Sequence, residues 1–213
     1  MGENKHIVQL ISRYSQLTEL KDKIIEAANA IISSYENGGK LLTCGNGGSS
    51  SDADHIVGEL MKSFEGKRPL SQKLKSDLEN NAGERGNYLA DKLQQGLPAI
   101  SLTAHTALTS AVANDIDADL IFAQQVTGYG IKGDVLIGLS TSGNSQNVLD
   151  ALLVAKAKGL ITIGLTGESG GKMKEICDVL INVPEKRTAF VQELHLPVYH
   201  TICMMIEEHF FSK

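Results

Sequence analysis

Five short stretches of the chain are apolar at nearly every position: 40–44, 98–102, 134–139, 161–165 and 178–183. Between them the apolar residues recur at helical spacing. The stretches 52–64, 105–113, 118–127, 148–158 and 189–211 read as helices. Ahead of the first apolar run, Ile7, Leu10, Ile11 and Tyr14, then Leu20, Ile24, Ile25, Ala28 and Ile31, predict helix over 5–36, stopped by Gly38-Gly39. Strands that are apolar throughout, alternating with helices, imply a parallel sheet covered on both faces. The expected fold is α/β, a three-layer αβα sandwich on a five-stranded parallel sheet. A single domain covers 1–213, with an N-terminal helical extension over 1–37.

Residues 66–97 interrupt this alternation. The segment is highly charged, yet places Leu70, Leu74 and Leu78, then Leu89, Leu93 and Leu97, at four-residue intervals. This spacing predicts a helical insertion of two short amphipathic segments around Asn80-Asn81-Ala82-Gly83. It reads as a surface excursion, a subunit contact or a lid.

Composition narrows the function classes. The 213 residues are 42% hydrophobic, which excludes a disordered chain. No apolar run approaches the roughly 20 residues needed to cross a bilayer. A net charge of −5 and 5% aromatics argue against nucleic acid, an anionic membrane surface and stacked bases. Cys44, Cys177 and Cys203 are odd in number and widely spaced, so no disulfide framework is expected. No apolar leader with a cleavage site opens the chain, and a cytoplasmic location is the expectation. Cys44 reads as a small buried hydrophobe.

Two strand ends carry unusual loops, each opening a helix. Cys44-Gly45-Asn46-Gly47-Gly48-Ser49-Ser50-Ser51 follows the first strand, and Ser140-Thr141-Ser142-Gly143-Asn144-Ser145 follows the third. Ligands of open parallel sheets lie beyond the carboxyl ends of the strands. Helix N-termini present free N–H groups to anions, glycine allows close backbone approach, and hydroxyls add donors. Ser, Thr, Asn and Gly also make ordinary turns and caps; two such loops in one domain favour a phosphate site. Neither has GxGxxG spacing nor a Gly-Lys-Ser/Thr ending, which disfavours a dinucleotide or P-loop site.

His55 and Glu59 stand four apart on the helix after the first loop and share a face. They are candidates for binding a metal or moving protons, or equally a solvated ion pair. Asp52 and Asp54 read as caps or dipole partners. The last helix carries Gln192, Glu193, His195 and His200. Gln192 and His200 are about 12 Å apart along a regular helix, too far for one small ion unless Pro197 bends it. His6, His105 and His209 have no supporting constellation.

With CGNGGSSSDADH, Asn114-Asp115, GDVLIGLSTSGNS, LTGESGGKM and the final Gln-Glu-x-His-x4-His in this order, the chain resembles the sugar isomerase (SIS) family, and within it the phosphoheptose isomerases. The resemblance implies the SIS fold and aldose–ketose isomerisation of sedoheptulose 7-phosphate to D-glycero-D-manno-heptose 7-phosphate through an enediol(ate). It implies one zinc per subunit held by His55, Glu59, Gln192 and His200. Phosphate would be held by Ser140, Thr141, Ser142 and Ser145, with further substrate contacts at Asn46, Gly47, Gly48, Ser49, Asn114, Asp115 and Gln192. It assigns Glu59 as base and His200 as complementary acid. It also implies a homotetramer with sites between subunits, built partly by the N-terminal helices. Two departures stand out: 66–97 is longer than the family's segment, and Thr188, Ala189, Phe190 and Val191 stand where many relatives carry an Asp before the Gln. The alternatives are a non-catalytic SIS scaffold binding the DnaA replication initiator, or a sugar-phosphate sensor. The scaffold would not need His55, Glu59, Gln192 and His200 together.

Overall fold

A computed structural model describes residues 4–212; residues 1–3 and 213 lie outside it, as do those ends of the expected 1–213 domain and 1–37 extension. Five strands, β1 (Leu41–Gly45), β2 (Ala99–Ser101), β3 (Val135–Leu139), β4 (Ile161–Thr166) and β5 (Val179–Asn182), form one sheet in the order β2-β1-β3-β4-β5. Every neighbouring pair is parallel. Buried on both faces, β1 and β3 are apolar or glycine except at Thr43, whose Oγ1 donates to Ala53 O at 3.0 Å.

The pleat divides their side chains between two cores. Leu41, Ile137, Leu139, Ile163 and Leu165 face the layer formed by α1 (Lys5–Arg13), α2 (Lys21–Glu36), α3 (Gly48–Met61) and α8 (Thr188–Phe211). Leu42, Cys44 and Leu136 face α6 (Ile121–Tyr129) and α7 (Gln146–Ala157). The remaining helices are α4 (Gln72–Lys92) and α5 (Thr106–Asp115). The expected three-layer αβα sandwich is the fold observed. Cys44 is fully buried, and burial pushes its thiol well above the usual range, as a packing residue requires.

The chain leaves β1 for the edge strand β2, then crosses back to β3 on the other side. The β1–β3 boundary is therefore the switch point of the sheet, where a crevice opens beyond the strand ends. Both glycine-rich loops start there.

Two expectations are revised in detail. The N-terminal helix is two helices, because Tyr14 leaves helical geometry (φ −134°, ψ 70°) and Ser15–Leu20 forms a 3-10 turn. In the insertion, α4 is broken at Gly83, whose φ of +52° only glycine adopts readily, so two helical segments result as predicted. Gly86 lies so close to the Leu78 carbonyl that no Cβ fits between them. The base is closed by an antiparallel bridge from Pro69 to Gln94 and by Gln95 N donating to Arg68 O at 2.8 Å. Leu70 and Leu97, near that base, are buried, whereas Leu74 and Leu93 are exposed. The leucine pattern therefore marks the anchor of the excursion rather than a continuous buried face.

Candidate active site

At the switch point, α3 starts from Gly47 (φ +56°) and α7 starts from Ser145, and neither helix has a side-chain cap. The N–H groups of Ser49, Ser50 and Val148 already reach the carbonyls of Asn46, Gly47 and Ser145, so those of Gly48, Gln146 and Asn147 are the first-turn donors that remain for an anion. Asn46 and Asn147 join the two loops by reciprocal hydrogen bonds: Asn46 Nδ2 donates to Asn147 Oδ1 at 2.8 Å, and Asn147 Nδ2 to Asn46 Oδ1 at 3.0 Å. Ser140 is buried, with its Oγ 2.9 Å from Ser145 Oγ and 3.5 Å from Ser142 Oγ. Gly143 (φ +66°) packs directly on the Gly170 carbonyl, and Met173 N donates to Gly143 O at 3.2 Å. The GESGGKM turn thus braces the hydroxyl loop from behind. Neither loop contains Lys or Arg.

Gln192 lies against Gly48, where a Cβ would come within 2.6 Å of its Nε2. Further along the same two helices, His55 Nε2 lies 3.4 Å from His200 Nε2 and 3.0 Å from Glu59 Oε1. The helices α3 and α8 therefore run in the same direction, with the loops at one end, two imidazoles seven to eight residues on and the Glu59 carboxylate one helical turn further. Glu59 is buried and receives Lys62 Nζ at 3.1 Å on Oε2. His200 is held below the ordinary histidine value, chiefly by burial and then by the neighbouring His55. A neutral imidazole serves as a metal ligand or as an uncharged hydrogen-bond donor.

Two residues behind this cluster, Tyr199 and Arg68, carry no motif. Tyr199 Oη donates to Asp52 Oδ1 at 3.1 Å and lies 3.0 Å from His55 Nδ1. Arg68, fully buried, donates from Nε to Glu207 Oε1 at 2.6 Å, from Nη1 to Leu60 O at 2.7 Å and from Nη2 to Glu59 O at 3.0 Å. Asp52 is a hydrogen-bond acceptor inside α3, and Asp54 accepts from Thr103 Oγ1 at 2.5 Å. Neither therefore caps the helix, and neither lies in its first turn, contrary to the expectation of caps or dipole partners.

The family described as the SIS domain matches residues 5–94 and 81–167. The phosphoheptose isomerase of Aneurinibacillus thermoaerophilus is 40% identical over 195 residues, covering 92% of this chain and 85% of that one. The chain belongs to the phosphoheptose isomerase family of SIS-domain proteins. The solved structure of a phosphoheptose isomerase from Francisella tularensis matches with a TM-score of 0.76 at 32% identity, over 94% of this chain and 92% of that one. For the Neisseria gonorrhoeae phosphoheptose isomerase the TM-score is 0.73 at 33% identity, over 95% of each chain.

Against the ligand set that this family resemblance implies, the structure brings His55, Glu59 and His200 together and leaves Gln192 apart. The helix α8 runs unbroken through Pro197, so Gln192 and His200 stay about 12 Å apart along its axis. The three grouped residues suit zinc chemically, with two imidazole nitrogens and one carboxylate. The 3.4 Å between His55 and His200 is the edge of a tetrahedron whose spokes are about 2.0–2.1 Å. As they stand, hydrogen bonds hold these groups, and no three His, Cys, Asp or Glu side chains among the described residues form a metal-ready array. Asn114 and Asp115 end α5, exposed and bonded to each other at 2.7 Å. Buried Ser49 and exposed Asn46, Gly47 and Gly48 line the start of α3, and Thr141 and Ser142 the start of the second loop. The motifs point to the loops and to His55–Glu59. Tyr199, Arg68 and Asn147 carry no such signal, because their roles depend on contacts with distant segments.

Proposed function

We propose that this protein interconverts sedoheptulose 7-phosphate and D-glycero-D-manno-heptose 7-phosphate by aldose–ketose isomerisation in heptose precursor biosynthesis. The observation that carries this reading is the meeting of His55, Glu59 and His200 beside a switch-point crevice with two helix N-termini. The sugar phosphate would place its phosphate on Ser140, Thr141, Ser142 and Ser145 and extend along α3 and α8 toward Glu59. Asn46, Gly47, Gly48, Ser49 and Gln192 flank that path. Glu59 takes the proton from one of the two carbons that exchange oxidation state and returns it to the other, passing through an enediol(ate). His200, kept neutral, donates a hydrogen bond to the oxygen that gains charge. Zinc held by His55, Glu59 and His200 would act as a Lewis acid on the substrate carbonyl. A scaffold or sensor would not require this carboxylate and paired imidazoles, which favours the enzyme over either alternative.

The exposed Asn114-Asp115 pair would then serve a neighbouring subunit in a homotetramer; Ile116 beside it is 58% exposed, as an unassembled contact surface would be. Among the described residues no helix is long and apolar enough to cross a membrane, which accords with a cytoplasmic enzyme.

The deciding experiment is turnover of a panel of sugar phosphates by purified protein, with added zinc and with chelator. Isomerisation of the heptose 7-phosphate, lost with chelator and restored by zinc, is expected. No turnover of any sugar phosphate would refute the enzyme reading.

A further inference from the structure

Lys62 ends α3 in extended geometry (φ −139°, ψ 176°), and its side chain folds back along the last turn onto Glu59. Its Nζ donates to Glu59 Oε2 at 3.1 Å and to Ser63 O at 3.2 Å. Ser63 N donates in turn to Gln94 Oε1 at 3.0 Å, so the base of the 66–97 excursion fixes the backbone beside Lys62. On its other oxygen, Oε1, Glu59 meets His55 Nε2 at 3.0 Å, with His200 beyond. The carboxylate thus lies between an ammonium group and a pair of imidazoles.

An ammonium group carries three protons, and two of them are placed on Glu59 and Ser63. The third remains, on a side chain that is 60% exposed and open to a ligand. The neighbouring cation is committed elsewhere. Arg68 has no exposure, and each of its three guanidinium nitrogens already donates, to Glu207, Leu60 O and Glu59 O. The two glycine-rich loops contain no Lys or Arg.

Aldose–ketose exchange gives each of two substrate oxygens a turn as the charged one. From the ketose, Glu59 takes a proton from C1. The C–H pair forms the C1–C2 double bond, and the carbonyl pair moves onto O2. The O1 hydroxyl proton passes to O2, which leaves the charge on O1. The O1 pair then closes a carbonyl at C1, and C2 takes the proton back from Glu59. Both oxygens sit one bond from a carbon that Glu59 serves, so two donors are needed beside that carboxylate. His200 supplies one.

We propose that Lys62 is a further catalytic residue, whose free N–H donates to the substrate oxygen that does not face His200. It stabilises the enediolate charge and keeps all three of its own protons, so the balance above is unchanged. The role rests on the isomerase reading.

The test uses full-length protein supplied with zinc. Lys62→Met removes the charge and the donors but keeps the stem, and Lys62→Arg keeps both. Both changes are at an exposed position, and far-UV dichroism checks that the fold is kept. For sedoheptulose 7-phosphate, kcat of the Met variant should fall roughly 10²-fold with KM little changed, and Lys62→Arg should recover most of the loss. Binding separates charge stabilisation from packing. A phosphorylated aldonate carries a shared negative charge on two oxygens at the reacting end, and the matching alditol phosphate carries none. The Met variant should bind the aldonate about tenfold or more weakly and the alditol phosphate as wild type does. A Met variant with wild-type kcat, or one that weakens both ligands equally, would overturn the role of Lys62 while wild-type turnover keeps the isomerase reading. Wild-type protein without turnover would overturn that reading, and this role with it.

Discussion

Arg68 Nε donates to Glu207 Oε1 at 2.6 Å, from a guanidinium side chain with no solvent exposure to a carboxylate only 7% exposed. The other two guanidinium nitrogens hold the Glu59 and Leu60 carbonyls at the end of α3. Glu207 also accepts from the backbone N–H groups of Phe64, Glu65 and Gly66. One buried ion pair thus ties the helix that bears Glu59 to the helix that bears His200, at the base of the insertion.

Arg68→Met should expose how much depends on this tie. It removes one member of a buried pair and leaves two helix-end carbonyls without their donors. The expected loss is about 3 kcal/mol. For a chain of this size that lowers Tm by about 6–12 °C, measured by calorimetry or far-UV dichroism.

Glu59→Gln tests the proposed base directly. The amide retains the side chain's size and cannot accept a proton. Turnover should fall roughly 10²-fold or more, with little change in substrate binding measured by calorimetry. An unchanged rate would remove Glu59 from the chemistry.

Gly143→Ala tests the hydroxyl loop. Its φ of +66° strains any other residue, and the added methyl group collides with the Gly170 carbonyl. The loop must shift away from Ser140 and Ser145. KM for the sugar phosphate should rise about tenfold or more, because phosphate binding requires the loop's geometry. A KM equal to wild type would place the phosphate elsewhere.

His195 makes stability depend on pH. It is fully buried, its Nε2 lies 3.2 Å from Thr166 O, and burial lowers it from 6.5 to about 4. The unfolded chain takes up this proton near 6.5, whereas the folded chain takes it up only near 4. Stability is therefore complete above 6.5 and falls as pH drops toward 4, by about 2 kcal/mol at pH 5. His195→Leu should flatten denaturant midpoints between pH 7.5 and 5. Thr166 O keeps the Val183 N–H at 2.9 Å in that variant.

Much of the scaffold was legible along the chain. The apolar runs at 40–44 and 134–139 lie within a residue of β1 and β3, because a strand buried on both faces admits a polar side chain only where it is satisfied, as Thr43 is by the Ala53 carbonyl. Gly83 breaks α4 where the Asn-Asn-Ala-Gly stretch signals a break. His55 and Glu59 face the same way because the α-helical turn alone puts them there. The 3-10 turn at Ser15–Leu20 was not legible, since its leucines continue an apolar rhythm that a helix shares. Asp52 was misread as a cap or dipole partner because its hydrogen-bond partner, Tyr199, is 147 residues away.

Local periodicity and turn chemistry, read from the sequence by itself, determined the α/β alternation, the two loops without Lys or Arg, and the carboxylate–imidazole pair on one helix. These depend on neighbours within about a helical turn. The tertiary structure alone decided that β1 and β3 lie side by side, so that both loops open on one crevice. It also decided that His200 meets His55 across 145 residues while Gln192 stays at Gly48. Those relations follow from strand order and from the parallel packing of α3 on α8, which arise from burial summed over the whole sheet. No local stretch of sequence records them.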